Sequence, residues 1–287
     1  MTLPDSEPPD RAVNAPDGVW IAVFGAGAAI GRPIILVHGA TADHTTWRTA
    51  GPLLGARHPL HAIDRRGRGA SSDGPAGVPY SIEQEFDDLT AVVDAVAAES
   101  GGPVDVVGHS YGGRIALGAA LRTTNLRRLV SYEGAPPAAD GRGYQDQEAG
   151  TLARMAELVA AGNRDAALET FMREIVGMPA ADLAAFRSDP IWPRRATAID
   201  TTLRELAAET SPAASLESLG AVRQPVLQIL GGASRAPFAD ATAALDARLK
   251  GGQVVTIAGA RHAAHHSHAP EFVAAVDAFL AAPDVAD

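Results

Sequence analysis

The chain has 287 residues, 46% of them hydrophobic, which is enough for one large domain or two small ones with a sizeable core. Its net charge of -10 sets it against phosphate backbones and anionic lipid, so neither nucleic acid nor a membrane is an expected partner. The absence of cysteine excludes disulfides, thiolate metal sites and a cysteine nucleophile.

Residues 1–17 are acidic and proline-rich with no apolar segment, so they resemble neither a leader nor a membrane helix and are expected to form a mobile tail. A soluble cytoplasmic protein is the corresponding expectation. Beyond the tail, short apolar runs alternate with longer helical patterns, the signature of a mostly parallel sheet covered by helices on both faces, an α/β fold. Strands are predicted at 18–24, 34–38, 60–63, 104–108, 127–132, 225–230 and 253–257. Helices are predicted near 45–54, 81–98, 111–122, 238–249 and 270–281. Ser81 and Gln84 have capping-box spacing, and Ile82, Phe86, Leu89, Val92, Val93 and Val96 recur at helical spacing behind them. From 135 to 221 the alternation stops, leaving consecutive helices broken at Gly162, at Gly177-Met178-Pro179 and at 190–193. Such an insert belongs over the carboxyl ends of the parallel strands, where it would act as a helical cap on a substrate site. The core is then 18–134 together with 222–287.

Residues 103–122 run from an apolar stretch through Gly108, His109, Ser110, Tyr111 and Gly112 into an alanine-rich helix. A serine on so sharp a strand-to-helix turn needs glycine two positions before and after it, because Cβ atoms there would strike neighbouring backbone. This is a nucleophile elbow, with the Tyr111 N–H directed to where a substrate oxyanion would form. A hydroxyl needs a base within reach, and the base needs a carboxylate to hold its tautomer. The loop after the last predicted strand supplies His262, with His265, His266 and His268 behind it. The i, i+4 pair His262 and His266 also suggests zinc, but no carboxylate or thiolate accompanies it and the HExxH pattern is absent, so no metal is expected. Asp240 is the nearest acid downstream of the strand at 225–230.

From about residue 18 onward these features resemble the alpha/beta-hydrolase superfamily. The resemblance implies an acid in a Gly-x-x-Asp stretch after the strand at 225–230, but that stretch here reads Gly231, Gly232, Ala233, Ser234. Glu133 stands instead at the end of the strand at 127–132, where haloalkane dehalogenases and zearalenone-type lactone hydrolases carry their acid. The segments GGASRAPF and GARHAAHHSHAPEF are also similar to those lactone hydrolases. The resemblance therefore implies a triad of Ser110, His262 and Glu133, with Asp240 in reserve. The run His38, Gly39, Ala40 resembles the superfamily's oxyanion loop, implying that Ala40 N–H joins Tyr111 N–H and that His38 braces the loop. Arg65, Arg66 and Arg68 resemble a structural loop after the strand at 60–63, not a phosphate site.

The segment 24–31 has the spacing GxGxxxG with no helix after it, and is expected to be a hairpin turn, not a nucleotide loop. In the cap, Met155, Phe171, Met172 and Met178 fit a pocket or a helical core equally. Trp192, in a proline-flanked break, and Trp47, after the oxyanion loop, are the expected substrate-contacting aromatics. The expected activity is hydrolysis of a small-molecule carboxylic ester or lactone through an acyl-enzyme on Ser110, with no cofactor. Carbon–carbon bond hydrolysis, cofactor-free perhydrolysis and a non-catalytic small-molecule receptor are the alternatives, and a homodimer is compatible with the sequence.

Overall fold

The computed structural model describes residues 8–75, 77–137, 142–208 and 211–283, with backbone alone over 142–148. Eight strands form one sheet: β1 (Arg11–Asn14), β2 (Trp20–Gly27), β3 (Ile34–Val37), β4 (Pro59–Ile63), β5 (Val104–His109), β6 (Leu126–Tyr132), β7 (Val226–Gly231) and β8 (Gly252–Ile257). Their spatial order is β1-β2-β4-β3-β5-β6-β7-β8. β1 and β2 are antiparallel to their neighbours, and every pairing from β4 through β8 is parallel.

Side chains of successive strand residues point to opposite faces, and in the centre of the sheet both faces are covered, which is why β3 reads as an unbroken apolar run. Ile35, Val37, Val106 and Leu129 enter one core layer. Ile34, Leu36, Val107 and Val130 enter the other. The core helices are α1 (Ala50–Gly55), α2 (Ile82–Ser100), α3 (Tyr111–Ala120), and, after β7, α10 (Ala236–Asp246), α11 (Ala264–Ser267) and α12 (Ala269–Leu280). The predicted capping box forms, with Ser81 N–H donating to Gln84 Oε1 at 3.0 Å, and all six residues of the α2 stripe are buried.

Between β6 and β7 the regular elements among the described residues are all helices: α4 (Arg142–Ala160), α5 (Arg164–Thr170), α6 (Ala180–Arg187), α7 (Trp192–Thr197), α8 (Ile199–Ala207) and α9 (Leu216–Leu219). Phe171–Ile175 continues α5 as a π-helical turn. This segment has its own apolar core, which includes Met155, Leu168, Phe171, Trp192 and Ile199. Buried ion pairs tie it to the sheet. Arg65 binds Glu85 through two bonds of 2.7 Å and also lies 2.7 Å from Glu205 of α8, which Arg68 reaches at 2.7 Å as well. Arg66 pairs with Asp88 and Asp17, so all three arginines of the loop after β4 are spent on architecture, as expected.

Two expectations need correction. Residues 11–14, placed in the mobile tail, are an edge strand: Ala15 N–H donates to Val19 O at 2.7 Å across a tight turn, and the register Val13 to Ile21 buries the apolar side of a strand too short to signal itself by periodicity. Residues 1–7 lie outside the described part. The segment 24–31 is not a hairpin turn, because β2 pairs with β1 and β4 and never with β3. The chain crosses past β4 to reach β3, and Gly27 at φ 87 passes so close to His58 O that a Cβ would lie 2.3 Å from it.

Candidate active site

Ser110 follows β5 and opens α3 with φ 53 and ψ −124, a conformation costly for a residue with a Cβ. Neighbouring glycines make it possible. A Cβ on Gly108 would lie 2.5 Å from Gly112 O, and one on Gly112 would lie 2.4 Å from His38 O. The strain is held by hydrogen bonds: Ser110 N–H donates to Tyr132 O at 2.7 Å, and Ser110 O accepts from Gly113 N–H at 2.8 Å.

The other two residues arrive from the carboxyl ends of β6 and β8, on either side of β7. Glu133, just past β6 and also at positive φ, reaches with Oε2 to His262 Nδ1 at 2.5 Å. Its Oε1 accepts from Gly231 N–H at 2.7 Å and from the Ser234 hydroxyl at 2.6 Å. Ser234 occupies the position where the family pattern has its acid. With the carboxylate carried by the next strand, a hydroxyl there becomes a donor to it. Asp240, the reserve candidate, is exposed on α10 with no bond to His262.

The His262 loop is clamped from beneath. His262 O lies 2.7 Å from His109 Nε2, and the Tyr132 hydroxyl donates to Arg261 O while accepting from Ala264 N–H at 2.9 Å. Phe238 stacks on the His262 ring at 4.4 Å. Sequence reasoning missed Ser234, His109 and Tyr132, and only the irregular loop after β8 hinted that something must hold it.

Ala40 follows Gly39, whose Cα lies so near the elbow that a Cβ would be 3.0 Å from Ser110 Cβ. Arg65 N–H donates to His38 Nε2 at 3.0 Å, which leaves Nδ1 as the donor to Gly39 O at 2.9 Å. Burial and the nearby Arg65 push the His38 pKa far down, so this ring is a neutral brace for the loop. Desolvation likewise depresses His109 and His265, and lowers His266 to about 4.

Ser110, His262 and Ala40 border a cavity of about 360 Å³. Its apolar wall comes from the helices between β6 and β7, through Phe171, Met172, Val176, Met178 and Phe186. A second, smaller cavity shares Ser110, Ala40 and His262 and adds Tyr111, Glu133 and Phe238. Neither Trp192 nor Trp47 borders these spaces, contrary to expectation. Trp192 is 4% exposed, donates to Asp165 at 3.1 Å and meets Phe186 edge-on, so it centres the core of the helical insert. Trp47 is fully buried against His265 and Phe272 under α12. A small layer of short helices lacks apolar volume, and its largest rings fill it first.

The histidines considered for zinc face separate partners, His262 on Glu133 and His266 on Thr49 Oγ1 at 3.2 Å. Among the described residues, Asp43, His44 and Asp64 alone bring three ligand atoms within 4.8 Å of one another. Their donors are already engaged: Asp64 accepts from His44 N–H at 2.8 Å and from Ala70 N–H at 2.8 Å, and Asp43 accepts from Thr45 N–H at 2.9 Å and pairs with Arg194 at 2.5 Å. The cluster braces the loops beside β3 and β4. No helix among the described residues is long and apolar enough to cross a membrane.

Among relatives, a probable oxidoreductase EphD from Mycobacterium bovis is 36% identical over 110 residues, 38% of this chain and 18% of that protein, so the chain spans under a fifth of its length. A pimeloyl-acyl-carrier protein methyl ester esterase from Neisseria meningitidis is 29% identical over 256 residues, 85% of this chain and 75% of that protein. Among solved structures, an alpha/beta hydrolase from Sphaerobacter thermophilus is 29% identical, with a TM-score of 0.73 over 93% of this chain and 100% of its own. The sequence profile of the alpha/beta hydrolase family matches residues 34–276, spanning β3 through most of α12. A strained serine at the strand-to-helix turn, a histidine held by a strand-end carboxylate and this match together establish that the chain belongs to the alpha/beta hydrolase family.

Proposed function

We propose that the protein is a serine hydrolase that cleaves a carboxylic ester or lactone through an acyl-enzyme on Ser110. The observation that carries this reading is the 2.5 Å bond from Glu133 to His262 Nδ1 beside a cavity that Ser110 also borders. With Nδ1–H donating to the carboxylate, Nε2 is left with its lone pair, the state a general base requires. The Ser110 hydroxyl attacks the carbonyl as His262 takes its proton, and the alkoxide is stabilised by the N–H groups of Ala40 and Tyr111. The imidazolium returns the proton to the departing alcohol oxygen, leaving an acyl-Ser110. Water then enters, His262 removes its proton, and the carboxylic acid leaves with Ser110 restored. From a lactone the alcohol and the acid are two ends of one hydroxy acid. The helices between β6 and β7 act as a cap, excluding bulk water from the reacting carbonyl.

The methyl ester esterase relative, matched over 85% of this chain, supports the ester reading. A fluorophosphonate probe tests the core of the proposal: wild type becomes labelled and Ser110→Ala does not. Unlabelled wild type, or labelling that survives the substitution, refutes it. A panel of small p-nitrophenyl esters, aromatic lactones and macrocyclic lactones then separates linear esters from lactones by their kcat/KM values.

A further inference from the structure

One polar group on the cavity wall takes no part in the chemistry above. Arg195, on α7, borders the same cavity as Ser110 and is only 6% exposed. Its single hydrogen bond is from Nη2 to Thr46 Oγ1 at 3.2 Å, and its Nε has no partner. Among the described residues no carboxylate lies within 4.0 Å of it. Asp43 attracts it electrostatically but makes its direct ion pair with Arg194 at 2.5 Å, and Asp189 pairs with Arg48 at 2.8 Å. Burial lowers the Arg195 pKa to about 10, which still leaves it a cation at neutral pH. His265, beside it on the wall, is also buried with an unpartnered Nδ1.

A buried guanidinium without an anion is destabilising, and chains normally pair such a group or replace it with an apolar one. The cavity that Arg195 borders is also lined by the apolar side chains of Phe171, Met172 and Met178. A guanidinium offers a planar set of N–H donors that matches the oxygens of a carboxylate, and Nη1 of Arg195, unlike Nε, is not among the buried unpartnered atoms. Resting on the hydrolase reading, we propose that Arg195 is a carboxylate subsite, so that the ligand whose ester or lactone carbonyl reaches Ser110 carries a free carboxylate at its other end. The substrate class is then a half-ester of a dicarboxylic acid, or a carboxylated lactone. An apolar spacer lies along the cap, and the free carboxylate supplies the direct contact that no carboxylate among the described residues makes with Arg195.

Monomethyl esters of succinic, glutaric and adipic acid, each compared with its dimethyl ester, provide the test. For at least one chain length, wild type should favour the half-ester in kcat/KM by about 10²-fold or more, since a site built around a buried charge rejects the analogue lacking its partner. Arg195→Met should collapse that ratio, and Arg195→Lys should restore part of it. Without ligand, Arg195→Met should unfold at an equal or higher temperature, because it removes an unpaired charge; a merely structural arginine would show the opposite. Calorimetric binding of monomethyl glutarate and monomethyl adipate to Ser110→Ala, against their dimethyl esters, reads the subsite without catalysis and without altering Arg195. A ratio near one across the series in active, unlabelled wild type, when a separate sample of that enzyme reacts with the fluorophosphonate probe, overturns the carboxylate subsite while leaving the hydrolase reading intact. Unlabelled Ser110 together with half-ester binding that Arg195→Met abolishes upholds the subsite and overturns the hydrolase reading.

Discussion

Replacing Glu133 with Gln probes the proton relay without emptying the site. The carboxylate accepts three hydrogen bonds, from His262 Nδ1, Gly231 N–H and the Ser234 hydroxyl. Gln can keep the last two through its carbonyl oxygen, so the fold around it should survive. Its amide nitrogen must then face His262 Nδ1 as a donor, which forces the ring into the tautomer with its proton on Nε2. That nitrogen can no longer accept the Ser110 proton. Such a tautomer inversion is worth about 10⁴ in turnover, and at about 1.36 kcal/mol per decade it raises the barrier by about 5.4 kcal/mol. The assay is kcat/KM on a p-nitrophenyl ester for wild type, Glu133→Gln and Asp240→Asn, with a urea denaturation of each to confirm folding. Asp240→Asn should match wild type. A folded Glu133→Gln enzyme within tenfold of wild type would refute the argument, as would a loss of similar size in Asp240→Asn.

Gly112→Ala places a Cβ about 2.4 Å from His38 O and 2.5 Å from Val37 O, so it should cost at least 10² in kcat/KM or prevent soluble expression; full activity in this variant would show that the elbow is not tightly backed. Removing Glu205 leaves the buried Arg65 and Arg68 short of a carboxylate, and Glu205→Ala should lose about 3–5 kcal/mol in urea unfolding, partly recovered when Arg68 is replaced by Met as well. His38, His109 and His265, held neutral by burial, and His266, lowered to about 4, bind protons in the unfolded chain below about pH 6.5 but not in the folded one. Stability should therefore fall as pH drops from about 6.5 towards 4, by up to about 1.4 kcal/mol per pH unit for each histidine. Denaturant midpoints at pH 7.5, 6 and 5 measure it, and a flat profile would contradict the burial argument.

The parallel core was legible because its causes are local. The central strands are buried on both faces, so Ile34 to Val37 is a continuous apolar run and Val104, Val106 and Val107 nearly one, and Gly108 and Gly112 mark a turn that cannot tolerate a Cβ. His262 was legible because it follows a strand and lies in a loop of small residues. Which carboxylate meets His262 was not readable from spacing, since Asp240 and Glu133 both follow strand ends; only the tertiary structure sets Glu133 against His262 and leaves Asp240 exposed on α10. Strand pairing was equally out of reach at the N-terminal edge, where β2 skips β3 to lie beside β4.

The chain's own order of residues determined that a strained serine would stand at the carboxyl end of a parallel sheet, because helical and strand periods and glycine's lack of a Cβ act over a few neighbours. Tertiary structure alone decided which large side chains became wall and which became core, sending Trp192 and Trp47 inward and leaving Phe171, Met172 and Arg195 on the cavity. A residue's type says that it can be buried. What it is buried against depends on elements more than a hundred residues away, as Thr46 and Arg195 are, and no local pattern encodes that distance.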